Sequence, residues 1–376
     1  MYFHSTNLAN PKLVSAADAA SCRPSSDFAK ERQSFNNMSV RKTSSVAQKV
    51  DTHGMSFIRQ LYEDKNISAK ATDILLSSWR FGTKKQYCSY IKKWKTYCGE
   101  RQISPVCSSL NYILDFLTFL FESNLGYSSI NTARSALSAI GIVIDGFAAG
   151  SHPLVIRFLK GVYNLRPPMP RYVKTWDVSK VLSYLKTLSP VRYLSLKNLT
   201  LKLAMLICLI ICGRTQSVHL LSIKNMIDGN DSCILQYREN LKQSRPGMNN
   251  PVVEIKAYRK DMKLCAVTVL REYIKRTASL RKNNTDLFIS YVRPHKSVTV
   301  NTISRWLRTV MIRAGIDIKK YCVHSIRSAT AAKAKSCMVP VNTILTSVGW
   351  SNAKTFGKFY DKQVEVQQCF QSAILS

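Results

Sequence analysis

Apolar residues recur at three- and four-residue intervals along most of this chain, the period of amphipathic helices. Tyr87, Tyr90, Ile91 and Trp94 form one such stripe, and Ile113, Phe116, Leu117 and Leu120 form another. Further helices are predicted over 127–143 and 152–163, and within the first of them Asn131 to Ile140 sets small residues between apolar ones, which suits close helix packing. Before position 53 apolar residues are scattered at no helical period among Ser, Ala, Asn and basic residues. Residues 1–52 are therefore expected to be a disordered N-terminal tail, with folding starting near Met55.

Pro167, Pro168 and Pro170 then stop the helical pattern, since three prolines so close together favour a stiff, extended connector. Beyond it the spacing predicts helices over 176–187 and 197–212, the latter containing the uninterrupted apolar run Leu203 to Cys212. That run is about half the length a bilayer requires and follows Lys202, so it reads as a buried core helix. Alternating segments at Cys233–Tyr237, Arg238–Gln243 and Val252–Ala257 predict a small antiparallel sheet, with a turn at Arg245-Pro246-Gly247. Helical periodicity resumes over 263–278, 300–314, 324–336, 340–347 and 353–360. The expected organisation is a helical domain over 53–165, a Pro-rich linker over 166–174, a second domain of helices and a small sheet over 175–363, and a short helical tail over 364–376. Val366, Phe370 and Ile374 give that tail a narrow apolar stripe suited to docking on its own domain or on a neighbouring protomer.

Charge narrows the partners. The 55 Lys and Arg residues outnumber the 22 Asp and Glu residues, giving a formal net charge of +33. Residues 166–376 hold 35 of the basic and 11 of the acidic side chains, so the second half carries most of the surplus. A solvated basic face is the bland explanation; a polyanionic partner explains an excess of this size better. Lys84, Lys85, Lys92, Lys93 and Arg134 in the first domain, with Arg245 and Arg305 in the second, are the candidate DNA contacts. A membrane partner is not expected. Met1–Val14 lacks a basic stretch followed by an apolar one, which points to an intracellular protein. The 11 cysteines are odd in number and form no C-x-x-C pair, so reduced core thiols are expected rather than a zinc or redox site.

Four short motifs in the second half occur in a telling order. Cys212-Gly-Arg-Thr-Gln-Ser-Val-His-Leu-Leu221 puts an arginine at the end of the buried helix. Leu241-Lys-Gln-Ser-Arg-Pro-Gly247 puts a lysine beside a turn. His324-Ser-Ile-Arg327 follows, and then Gly349-Trp-Ser-Asn-Ala-Lys-Thr-Phe-Gly-Lys-Phe-Tyr360. His324 and Arg327 are three apart on one predicted helix and so share a face. Taken singly, each residue has a structural reading: Arg214 as a helix cap, His324 as a satisfied core histidine, Lys242 as an exposed strand lysine, Trp350 and Tyr360 as core aromatics.

In that order the motifs resemble the tyrosine recombinase/integrase family, most closely the DIRS-like and Crypton-like recombinases of eukaryotic mobile elements, over roughly residues 60–365. The resemblance implies a mainly α fold, with a SAM-like helical core-binding domain followed by a DNA breaking-rejoining catalytic domain. It also implies a catalytic set of Arg214, Lys242, His324, Arg327, Trp350 and Tyr360. Tyr360 would attack a phosphodiester to give a 3′-phosphotyrosyl bond and a free 5′-hydroxyl, conserving bond energy without ATP. Arg214 and Arg327 would clamp the non-bridging oxygens, a task for paired guanidinium donors. Lys242 would protonate the leaving oxygen, His324 would exchange protons near the nucleophile, and Trp350 would offer an indole N–H where many relatives have His. No cofactor or metal is implied. The expected partner is double-stranded DNA, gripped by a homotetramer across two sites, in the nucleus.

Two positions depart from the common pattern. Ser217 stands where many bacterial and phage relatives carry an acidic residue that orients the first arginine. Tyr360 falls ten positions after Trp350 where nine is commoner, and Phe359, at the nine position, has no nucleophilic atom. A DNA-binding protein that keeps the fold without activity is the competing reading, with a type IB-like topoisomerase a third. Intact Arg214, His324, Arg327 and Tyr360 favour the enzyme, and the helical domain before the linker favours a recombinase.

Overall fold

The computed structural model describes residues 53–241, 244, 247, 252–350, 356–357 and 360–364. The predicted N-terminal tail and all but Val364 of the predicted C-terminal tail lie outside them. The chain divides into two compact units, one ending at Val162 and the other beginning at Tyr163. The fold is mainly helical with small antiparallel sheets, as the periodicity predicts.

In the first unit the helices are α1 (His53–Glu63), α2 (Ala69–Ser77), α3 (Phe81–Glu100), α4 (Leu110–Glu122), α5 (Tyr127–Ile140) and α6 (Pro153–Leu165), the last running on into the second unit. Their buried faces follow the sequence stripes: Ile91, Trp94 and Cys98 from α3, Ile113, Phe116, Leu117 and Leu120 from α4, and Ile130, Ala133, Leu137 and Ile140 from α5. The small Ala133 and Ala136 let α5 approach α3. The helix predicted to reach residue 143 stops at Ile140. A two-stranded hairpin follows, β1 (Val143–Ile144) and β2 (Phe147–Ala148), turning on Asp145 and Gly146, both at positive φ.

The second unit comprises α7 (Val178–Thr187), α8 (Leu196–Ile210), α9 (Thr215–His219), strands β3 (Leu221–Asp228), β4 (Ser232–Tyr237) and β5 (Val253–Lys256), then α10 (Ala266–Thr277), α11 (Val300–Arg313), α12 (Ser325–Ser336) and α13 (Val341–Val348). Helix α8 is the axis of this unit: every residue from Leu199 to Leu209 is buried, and it packs on α10, α11 and α12. A helix apolar on all sides must be enclosed by others. Lys202 is buried with it, and its ammonium donates to the Leu188 carbonyl at 2.6 Å and to Ser189 Oγ at 3.2 Å. No described helix is long and apolar enough to cross a membrane.

The sheet runs β3-β4-β5, all antiparallel. It corrects the expectation of a strand over Arg238–Gln243: β4 ends at Tyr237, Arg238–Leu241 are not in a strand, Lys242 and Gln243 lie outside the described residues, and the partner of β4 is β3. The Arg238 side chain turns back instead, donating to the His219 carbonyl at 3.1 Å and to Asp286 Oδ1 at 2.5 Å. The nine cysteines among the described residues are all free thiols.

Candidate active site

Arg214 owes its place to the end of α8. Cys212 takes a left-handed φ of 44°, and a Cβ on the next residue, Gly213, would sit 2.6 Å from Ile211 Cδ1, so a larger residue there would displace the Ile211 side chain. The turn is fixed by Gly213 N donating to the Cys208 carbonyl at 3.2 Å, and Arg214 then occupies the N-cap position of α9. The Cys212 thiol donates to the Arg327 carbonyl at 3.4 Å, tying the two arginine-bearing segments together. Burial pushes the Cys212 thiol up to about 11 and the Cys208 thiol up to about 12, so both stay protonated and inert at neutral pH.

His324 precedes the first turn of α12 and Arg327 lies within it, so the two share a face as their spacing predicts. Arg327 is only 2% exposed. Its guanidinium carbon lies 5.0 Å from the Trp350 ring centre and 5.4 Å from that of Tyr360, yet its Nε and Nη2 have no hydrogen-bond partner among the described residues. Arg214 is half-buried nearby. Burial first, then the like charge of Arg327, pulls its guanidinium below the ordinary value, with Tyr360 opposing. Arg214 and Arg327 are thus close enough to repel each other, and an anion placed between them would relieve that repulsion.

Trp350 is held by the C-terminal cap of α13, where Gly349 adopts a left-handed φ of 67° and Trp350 N donates to the Leu345 carbonyl at 2.8 Å. The Tyr360 ring stacks on Trp350, with centres 4.4 Å apart. The Trp350 indole N–H is buried and, like the Arg327 donors, without a partner among the described residues. The Tyr360 hydroxyl shares a hydrogen bond of 3.2 Å with His324 Nε2. Four of the six residues expected to be catalytic therefore converge directly: His324 on Tyr360, Tyr360 on Trp350, and Arg327 over both rings. Arg214 joins them through its electrostatic coupling to Arg327 and Tyr360.

Lys242 lies outside the described residues, as do Arg245 and Phe359. Leu241, immediately before Lys242, lines a cavity of about 250 Å³ together with Gly213, Ser217, Arg327 and Gly349. Arg305 is exposed on α11, and one guanidinium nitrogen donates to Thr302 Oγ1 at 3.3 Å. In the helical unit, Lys85, Lys92 and Lys93 are exposed on α3 and Lys84 is half-buried. Arg134 has a structural tie, its Nη1 donating to the Gly150 carbonyl at 2.8 Å. Sequence reasoning missed Cys212 and Gly213 as supports of Arg214. The Gly before the Arg was the available signal, since the chain must pass tightly there.

No protein-family profile matches the sequence, and no curated protein is similar to it. Solved structures are similar. A Tn1549 transposon integrase in complex with a circular intermediate DNA has a TM-score of 0.51 at 14% identity, covering 85% of this chain and 98% of that one. The same integrase with transposon right end DNA gives 0.50 at 13% identity, covering 85% and 96%. The XerH site-specific recombinase, in a post-cleavage complex with palindromic difH substrate, gives 0.50 at 12% identity, covering 83% and 86%. At these identities what is shared is architecture: the chain has the fold of the tyrosine recombinases.

Proposed function

We propose that this protein is a site-specific DNA recombinase that cleaves and rejoins DNA through a 3′-phosphotyrosyl intermediate. One observation carries the reading: Arg327 Nε, Arg327 Nη2 and Trp350 Nε1 are buried donors with no partner among the described residues, and their side chains pack on the ring of a tyrosine whose hydroxyl is bonded to a histidine. Most buried donors in proteins are satisfied, because each unmet one costs about 1–3 kcal/mol, more when charged. Among the described residues Arg134 Nε and three threonine hydroxyls are also unmet, and only at Tyr360 do such donors cluster on one ring. A phosphodiester supplies what they lack, since its non-bridging oxygens accept several bonds and balance two guanidiniums.

In the cleavage step Tyr360 Oη attacks phosphorus while its proton passes to His324 Nε2. The bond from phosphorus to the 5′-oxygen breaks, and Lys242 supplies the proton that oxygen takes. Arg214, Arg327 and the Trp350 indole stabilise the charge that builds on the non-bridging oxygens. Rejoining reverses the sequence, with a 5′-hydroxyl from another strand attacking the phosphotyrosine. Charge compensation falls to the guanidiniums, so the step as written uses neither metal nor ATP.

Double-stranded DNA as the partner is supported by the basic surplus and by the DNA held in the Tn1549 and XerH structures. Lys84, Lys85, Lys92, Lys93, Arg245 and Arg305 are proposed as backbone contacts. A homotetramer across two sites, an origin in a DIRS-like or Crypton-like mobile element, and a nuclear location belong to the same proposal and rest on the motif resemblance. The test is to incubate the protein with nicked suicide DNA and map the attached residue. A covalent adduct at Tyr360 with release of a 5′-hydroxyl fragment is expected. Tight DNA binding without any adduct would select the inactive DNA-binding alternative.

A further inference from the structure

The segment that connects the Pro-rich stretch to α7 is stitched to both halves of the site. On one side it meets the chain leading into α12. Trp176 Nε1 donates to Ser325 Oγ at 2.8 Å in full burial, the Tyr321 hydroxyl donates to the Lys174 carbonyl at 3.3 Å, and the Tyr172 ring packs edge-on against Tyr321. On the other side it meets the chain that follows Tyr360. Thr175 N donates to the Gln363 carbonyl at 2.8 Å and Thr175 pairs in parallel with Val364. The Lys362 ammonium donates to the Tyr172 carbonyl and sits 3.9 Å from the centre of the Tyr172 ring.

Resting on the reading of Tyr360 as nucleophile, we propose that Lys362 and Tyr172 are positioning residues that hold its hydroxyl against His324. Tyr360 sits in a turn closed on one side by its own N–H donating to the Phe356 carbonyl. Its other side is two residues from Lys362, so the clasp limits how far that backbone can rotate. Lys335, near the end of α12, bonds Asp361 at 2.7 Å and closes the same segment from another direction. The connector thereby sets the distance between the helix carrying His324 and Arg327 and the residue that attacks. The Lys362 contact has two parts, a hydrogen bond to a carbonyl and a cation over an aromatic face, which a guanidinium can also make. Displacement by about 1 Å at a reacting centre is enough to cost ~10²-fold in rate.

The experiment compares single-turnover adduct formation at saturating nicked suicide DNA, with affinity measured separately by gel shift. Lys362→Met is expected to slow adduct formation about 10- to 100-fold with affinity unchanged, and Lys362→Arg to stay within about threefold of wild type. Tyr172→Leu, acting from the other end of the contact, is expected to slow it similarly, and the double variant to be no slower than the worse single, as for two ends of one device. Wild-type rates in both Lys362→Met and Tyr172→Leu would overturn the clasp while leaving the nucleophile intact. A loss of affinity that accounts for the whole effect would also overturn it, marking Lys362 as a DNA contact. Absence of any adduct with the wild-type protein would overturn the recombinase reading and the clasp with it.

Discussion

Each unit buries a tryptophan stacked on a tyrosine with an arginine over the tyrosine ring, and the two clusters are finished differently. In the helical unit Trp94 stacks on Tyr97 with centres 5.8 Å apart, its indole donates to the Pro105 carbonyl at 2.9 Å, and Arg101 lies 3.7 Å above the Tyr97 ring with its charge exposed. In the second unit Trp350 stacks on Tyr360 at 4.4 Å, and among the described residues its indole has no partner and the buried arginine over the pair has two nitrogens unmet. Residue types are the same; satisfaction is not. In the first cluster the indole is paired and the arginine reaches water, and in the second the indole and two arginine nitrogens are unmet among the described residues.

The sharpest way to break this comparison is at the two tyrosines. Tyr360→Phe should abolish covalent attachment to DNA while leaving affinity nearly unchanged, since affinity is spread over many phosphate contacts. Tyr97→Phe should leave attachment intact. An adduct formed by Tyr360→Phe would remove the tyrosine from its assigned role.

The arginines come next. Arg214→Ala and Arg327→Ala should each slow cleavage by at least ~10²-fold, the scale of losing a transition-state donor. Arg327→Met should not lower the melting temperature, because it removes a buried charge that the protein alone leaves unpaired. Trp94→Ala, in the closed cluster, should cost ~3–5 kcal/mol of stability. Destabilisation of Arg327→Met on that scale would mean Arg327 is structural.

Lys242→Ala should regain activity on DNA carrying a 5′-bridging sulfur at the scissile phosphate, because a thiolate leaves without protonation. If the variant stays inactive on that substrate while wild type cuts it, the proton comes from another group, with Arg245 the next to test.

The smallest effect concerns another buried cation. Lys202 has its hydrogen bonds met, yet burial pulls its ammonium down to about 8 from an ordinary 10.5. Between those values the unfolded chain holds a proton that the folded protein has released, so stability should rise as pH climbs from about 8 to 10.5. Lys202→Met should lack this rise, and melting curves of the two proteins across that window check it. A parallel pH dependence in both would assign the rise to other groups.

The sequence stripes on α3, α4 and α5 foretold the first core because one buried face per helix leaves a periodic record. Helix α8 was legible for the opposite reason, a run with no polar face at all. Strand β3 was not, since Leu221–Asp228 buries residues at its start and carries Lys224, Asn225 and Asp228 beyond, with an irregularity between Ser222 and Ile227 that destroys alternation. Arg238–Leu241 imitated a strand by composition, while these residues lie outside any strand and the Arg238 side chain bonds back to His219 and Asp286. In the site, motif order singled out Arg327, Trp350 and Tyr360 as candidates, whereas the unmet donors of Arg327 and Trp350 are a property of packing that no spacing records. The link from Thr175 to Val364 spans most of the second unit and left no local trace.

The central claim is that a phosphate completes the donors around Tyr360, and a structure of Tyr360→Phe bound to nicked target DNA tests it most directly. The scissile phosphate should place its non-bridging oxygens about 2.7–3.2 Å from Arg327 Nη2 and Trp350 Nε1, with Arg214 on the same group. A bound duplex whose phosphates lie elsewhere, with those donors turned to protein carbonyls, would contradict it.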